Sequence, residues 1–251
     1  MYIDLHCHTL KSEIGDSEKR NINKENFLRI LRDRKVRIAA ITNHNVFNKE
    51  QFYSFRDNDD IDVWPGIELD VKGHSSYGHC IIIANPNNVT EFSNTIEKIT
   101  SGYTPDNFKI TIEDLCLSIG ELNVIVFANY GSRTIVLNKE DLDLLKSSLK
   151  KLNPFYSEVS DLKSAGIITA TNRNSLIGSG VTNWDKYNEL NLPFLKTFID
   201  SYTEFLSLIK KEDEIIKYIF KSKGQRDYNY ETTDKWFLDE TREDVESSSI
   251  G

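Results

Sequence analysis

The chain has 251 residues, of which 39% are hydrophobic and 28% charged, and carries a formal charge of −8. That length and balance allow one large domain or two small ones and exclude wholesale disorder; the negative charge argues against coating nucleic acid by bulk attraction, while leaving room for a local basic patch. The three cysteines, Cys7, Cys80 and Cys116, form no CxxC pair, which speaks against a zinc knuckle or a disulfide framework and for core filling.

In chain order, strands are predicted at 2–6, 36–42, 61–64, 80–84, 124–128, 166–170, 176–178 and 194–198, each β-branched or apolar nearly throughout, as suits strands covered on both faces. Helices are predicted to start at Asn23, Asn48, Thr111, Asn138 and Ser201, where a capping side chain precedes an apolar periodicity. Strand and helix in alternation imply a parallel sheet, either closed as a β/α barrel or open and doubly wound. Residues 1–220 read as one domain, and 221–251 as a charged, poorly ordered tail or connector. MYIDLHCHT lacks the basic and apolar regions of a signal peptide, and no segment approaches the roughly 18 apolar residues of a membrane span, so a soluble cytoplasmic protein without membrane contact is expected.

All five histidines lie in the first 79 residues. Asp4, His6 and His8 share one strand parity, which aims both imidazoles to the same side. In a β/α barrel the site lies at the C-terminal strand ends, where such a pair offers two nitrogen ligands. His44 follows the strand VRIAAIT, Glu68 follows a Pro65-Gly66 break, His79 opens CIIIA, and Asp16 lies in the loop after the first strand. These are donor types that borderline and hard divalent metals prefer. His74 reads as part of a polar surface turn and Trp64 as packing. Trp184 reads as a cap on the barrel, and Arg133 as a loop arginine suited to bidentate phosphate binding.

The series DLHCHT, ITNHN, GIELDV and GHCIII resembles the HxH, T-D-H, G-x-E and later-His motifs of the PHP (polymerase and histidinol phosphatase) superfamily. The likeness is greatest to PHP domains N-terminal to large antiphage-type ATPases. It implies a distorted, TIM-like β/α barrel of about seven strands, holding one to three manganese, zinc or iron ions. The implied first metal takes His6, His8 and Glu68; Glu68 bridges to a second with His79; Asp16 and His44 serve a third. Asp4 and Asp70 are possible acceptors fixing the imidazoles. The implied activity is metal-dependent phosphoesterase or phosphodiesterase chemistry, including nuclease action, on a phosphate-containing substrate such as nucleic acid or nucleotide. A fused or partner ATPase would lie outside this chain, which has no GxxxxGK[ST] loop. Later motifs depart from the family pattern. Asn129, Gly180 and Thr182 occupy positions of expected ligands, with Asn183 and Asp185 nearby as substitutes, so each metal loses one ligand. The alternative is therefore a catalytically impaired module that binds a ligand or partner within a defence-type system. A metal-dependent hydrolase of non-phosphate substrates is a third option, which a carboxylated lysine at the end of a predicted strand would favour; none of the predicted strands ends in a lysine.

Overall fold

The structure is a computed structural model and describes residues 2–12, 17–102, 110–129, 136–149, 155–159, 175–190, 193–194, 201–209 and 219–220. Among the described residues ten strands form one sheet: β1 (Tyr2–Cys7), β2 (Val36–Ile41), β3 (Asp62–Lys72), β4 (Tyr77–Ala84), β5 (Ile110–Thr111), β6 (Val124–Asn129), β7 (Phe155–Val159), β8 (Ser175–Ile177), β9 (Pro193–Phe194) and β10 (Ile219–Phe220). Their order is β10-β9-β1-β2-β3-β4-β6-β7-β8, with β5 paired to β3. The helices are α1 (Lys24–Asp33), α2 (Lys49–Arg56), α3 (Val89–Thr100), α4 (Ile112–Ile119), α5 (Lys139–Leu149) and α6 (Tyr202–Ile209).

All five predicted helix starts are present, because a cap is a local device. Asn23, Asn48, Thr111, Asn138 and Ser201 each accept a hydrogen bond from the backbone N–H three residues on. Two strand predictions need correction. β3 does not stop at Trp64 but runs through Pro65-Gly66 to Lys72. Its ladder with β2 ends at Pro65 and its ladder with β4 begins at Gly66, so the missing proline N–H falls at the handover. Nor is the sheet wholly parallel: β3–β4 and β4–β6 are antiparallel. Only residues 73–76 separate β3 from β4, too few for a parallel crossover. β7 and α3 went unpredicted, and the strand expected at 166–170 and the tail at 221–251 lie outside the described residues.

The sheet is mixed and curled like part of a barrel, compatible with the distorted barrel expected, without a continuous TIM-like ring of seven strands among the described residues. Its far edge nevertheless reaches back to β1: just beyond β8, the Gly180 N–H donates to the His6 carbonyl at 2.9 Å, and Val181 bridges Cys7. Gly180 sits at φ 53°, a left-handed conformation that glycine adopts without strain.

Strand parity separates two layers. Outward-facing Cys7, Ala39, Ile41 and Val63 pack under Phe27, Leu31, Phe52 and Phe55 of α1 and α2. Ile67, Leu69, Val71, Cys80, Ile82, Val124 and Val126 pack under α3, α4 and α5. The other parity lines the concave side. Near the start of β3, Trp64 packs against Tyr202 and Phe205 of α6, and the Tyr202 hydroxyl donates to the Ile83 carbonyl at 3.0 Å. α6 thus fills one end of the concave side, while the polar residues of β1 and β3 gather at the other.

Candidate metal centre

β1 delivers His6 and His8 with their backbone held at several points. The wholly buried Asp4 accepts from the His6 N–H at 3.2 Å, the Ser179 N–H at 2.9 Å and the Tyr187 hydroxyl at 2.7 Å. Trp184 Nε1 donates to the His8 carbonyl at 2.9 Å. Just beyond, Asn43 Oδ1 accepts from the Thr9 N–H at 2.7 Å and the Leu10 N–H at 3.1 Å, fixing the turn by which the chain leaves the site.

So held, His6 Nε2 and His8 Nε2 lie 3.1 Å apart, and Glu68 Oε2 is 3.6 Å from the first and 3.3 Å from the second. Three donors around one cation at about 2.0–2.2 Å would be separated by about 2.8–3.6 Å, the edge length of an octahedron or tetrahedron. The donor set therefore fits a divalent ion. His8 Nδ1 is buried without a hydrogen-bond partner among the described residues, so this ring is not a core histidine satisfied by hydrogen bonding. Burial holds His8 well below the usual imidazole range; the Glu68 charge opposes that, while His6, Arg20 and His44 reinforce it. Burial would raise the Glu68 carboxyl, but His6, His79 and His8 outweigh it and hold it well below the usual range. Neutral imidazole and ionised carboxylate are the ligand forms.

Beside this trio lies a second group. The residues after β2 run along β3: the Asn45 N–H donates to the Glu68 carbonyl at 2.7 Å, and the Glu68 N–H to the Asn43 carbonyl at 3.1 Å. Asn45, at φ 52°, pairs through its side chain with both the N–H and Oδ2 of Asp70. Asp70 Oδ1 lies 3.2 Å from His44 Nε2 and 3.0 Å from His79 Nε2. His79 Nδ1 is in turn 3.0 Å from Glu68 Oε1. Against the effect of burial, Asp70 and Glu68 raise His79 to about 9.

Five of the residues singled out in the sequence, His6, His8, His44, Glu68 and His79, thus meet at one end of the sheet. Asp16 and Arg133 lie outside the described residues, as does the side chain of Asn129. Several expectations change. His44 and His79, expected at different metals, share Asp70. Asp4 braces the His6 backbone rather than an imidazole. Gly180 lies against His6 but carries no ligand, and Thr182 is exposed. Asn183 caps the turn at Trp184–Glu189, and the exposed Asp185 pairs with Lys19 at 2.7 Å, so neither replaces a lost ligand. His74 is indeed exposed, 2.6 Å from Glu113, and Trp184 is buried against Phe27 and Tyr187. Asp70, named in the sequence as an acceptor for the imidazoles, does lie against two of them, His44 and His79. Missed were the bracing asparagines Asn43 and Asn45, whose contacts depend on the path of the chain after β2.

No protein-family model and no curated protein matches the chain. Solved structures do. Endonuclease Q, in complex with a 27-mer duplex bearing an abasic lesion at the active site, aligns with a TM-score of 0.59 at 14% identity, covering 83% of this chain and 56% of that one. This chain thus spans little over half of that protein. A protein classed by inference as a metal-dependent phosphoesterase, from Bifidobacterium adolescentis, aligns at TM-score 0.52 and 11% identity, over 82% of this chain and 94% of that one. An amidohydrolase from Chromobacterium violaceum with bound sulfate aligns at 0.52 and 13%, over 73% and 88%. At these identities the likeness is one of fold.

Proposed function

We propose that the protein is a metal-dependent hydrolase of phosphate esters or diesters, with nucleic acid as the leading substrate class. The observation that carries this is the approach of His6 Nε2, His8 Nε2 and Glu68 Oε2 to within 3.1–3.6 Å of one another at a buried spot. Such a trio would hold manganese, zinc or iron, leaving coordination positions open. A cation bound there supplies Lewis-acid polarisation of a phosphoryl oxygen and an acidified water. Glu68 and His8 stay in their ligand forms, ionised carboxylate and neutral imidazole. Asp16 is proposed as a further ligand and Arg133 as a phosphate-binding residue, both on the sequence pattern. The endonuclease Q likeness supports nucleic acid as substrate; an ATPase partner in a defence system rests on the sequence resemblance alone.

A catalytically impaired binding module is the second reading, favoured by Gly180 and the exposed Thr182 at positions of family ligands. Metal content, and hydrolysis of bis-p-nitrophenyl phosphate, single-stranded DNA and an abasic-site duplex with manganese, discriminate the two. The expected result is bound metal and turnover in the wild type. His6→Ala with His8→Ala should remove the metal of this trio and lower turnover at least a hundredfold while keeping cooperative unfolding. Undiminished hydrolysis by that double variant would overturn the site, and a metal-loaded but inert wild type would favour the binding module.

A further inference from the structure

We propose that His44, Asp70 and His79 form a second cation site, in which Asp70 stands in for ligands this chain has lost. This rests on the reading of the first trio as a metal site and deepens it.

The geometry assigns each atom a task. Asp70 Oδ2 is taken by the Asn45 side-chain amide at 3.1 Å, which leaves Oδ1 turned toward the imidazoles. On that oxygen converge His44 Nε2 at 3.2 Å and His79 Nε2 at 3.0 Å, and one ligand atom from each of the three residues lies within 4.8 Å of the others. Strand register makes the pairing direct, since Asp70 faces His79 across the β3–β4 ladder. The donor set, two imidazoles and a carboxylate, matches that of the first trio and suits manganese, iron or zinc. His79 is oriented from behind: its Nδ1 lies 3.0 Å from Glu68 Oε1, so once a cation displaces the Nε2 proton the remaining Nδ1–H donates to Glu68 and the Nε2 lone pair faces the cation. Glu68 thereby serves both sites with different oxygens, Oε2 at the first and Oε1 through the His79 ring at the second. The resemblance to the family assigns His44 and His79 to separate metals; here both address one Asp70 oxygen, and Gly180 and the exposed Thr182 provide nothing to separate them. The second site is also the more open. Its side chains are 11–18% exposed, against 2–5% at the first. Its cation therefore exchanges more readily and lies nearer to where substrate enters.

The test is manganese binding to the full metal-free chain, followed by equilibrium dialysis with elemental analysis and by the electron paramagnetic resonance signal of free manganese. The wild type should bind two equivalents of unequal affinity. Asp70→Asn, which keeps the shape and an oxygen for Asn45, should lose the weaker one and keep the tighter. His44→Ala should do the same, with circular dichroism and thermal unfolding as in the wild type; it keeps the test decisive if Asp70→Asn fails to fold. Two equivalents of undiminished affinity in both variants, or a single equivalent in the wild type, would overturn the second site. His6→Ala with His8→Ala tests the first site separately. If it binds as much as the wild type, the first reading fails, whereas loss of the tight equivalent alone leaves the two readings standing apart.

Discussion

Asp4 carries no exposed surface, yet three groups from three parts of the chain donate to its carboxylate: the His6 N–H, the Ser179 N–H and the Tyr187 hydroxyl. A buried carboxylate oxygen deprived of its donor keeps the full desolvation penalty. Tyr187→Phe should therefore destabilise the protein by about 1–3 kcal/mol in urea unfolding, more than loss of one exposed hydroxyl would. A change below about 0.5 kcal/mol would mean that water or another donor replaces the phenol. The sequence placed Asp4 on the parity of His6 and His8, but not its partners Ser179 and Tyr187, which lie more than 170 positions away. The same limit applies to Asp70. Its parity with Glu68 was legible, whereas its meeting with His44 and His79 depended on the register of β3 against β4 and on the path of the chain after β2.

At the scale of elements, the β3–β4 hairpin turn is held from outside by α5. Asp141, in the first turn of that helix, accepts from the N–H groups of His74, Ser75 and Ser76 and from the Ser76 hydroxyl, at 2.5–3.3 Å. Gly73 is required beneath it, because a Cβ there would run into the Asp141 carboxylate. Burial acts to raise the Asp141 carboxyl, but these donors prevail and hold it below the usual range. A depressed native pKa means that the stabilisation is fully present above the unfolded-state value, about 3.9, and is lost as pH falls through the native value. Asp141→Asn replaces one accepting oxygen with an amide that faces donors, so the variant should unfold about 1–3 kcal/mol more easily at pH 7. That gap should narrow below about pH 4, where the wild-type carboxylate is itself titrated. Thermal unfolding of both proteins from pH 7 to 2 measures it, and a gap that is constant with pH would contradict the role of the charge. Caps such as Asn138 were legible because they act within four residues, whereas the hairpin's clamp joins segments some 65 residues apart.

For the whole molecule, two donor clusters collect imidazoles and carboxylates at one end of the concave sheet, while Trp64, Tyr202 and Phe205 fill the other with apolar packing. An ion that binds only the folded chain at these clusters stabilises it by mass action. At a hundredfold excess over the dissociation constant the gain is about 2.7 kcal/mol, equivalent to a Tm rise of about 5–10 °C for a chain of this size. Chelation of the metal-loaded protein should lower Tm by that order, restored manganese should recover it, and the His6→Ala, His8→Ala variant should respond less. An unchanged Tm on stripping metal that was demonstrably bound would contradict binding at these clusters. α6 gives a control remote from the metal. Phe205 is 1% exposed against the buried Trp64, so Phe205→Ala should cost about 3–5 kcal/mol in stability without changing the metal equivalents bound.

By itself the sequence determined the helix starts, the parity that turns His6 and His8 to one side, and the chemical types of donor that the site contains. These are properties of neighbouring residues, set by backbone repeat and local hydrogen bonding. The tertiary structure alone decided that β3 continues through Pro65-Gly66, that β4 returns antiparallel, and that Gly180 lies against His6. It alone also joined His44 and His79 at a single Asp70 oxygen. Each of these follows from strand register and from the curl of the sheet, which bring together segments whose separation along the chain carries no local signal.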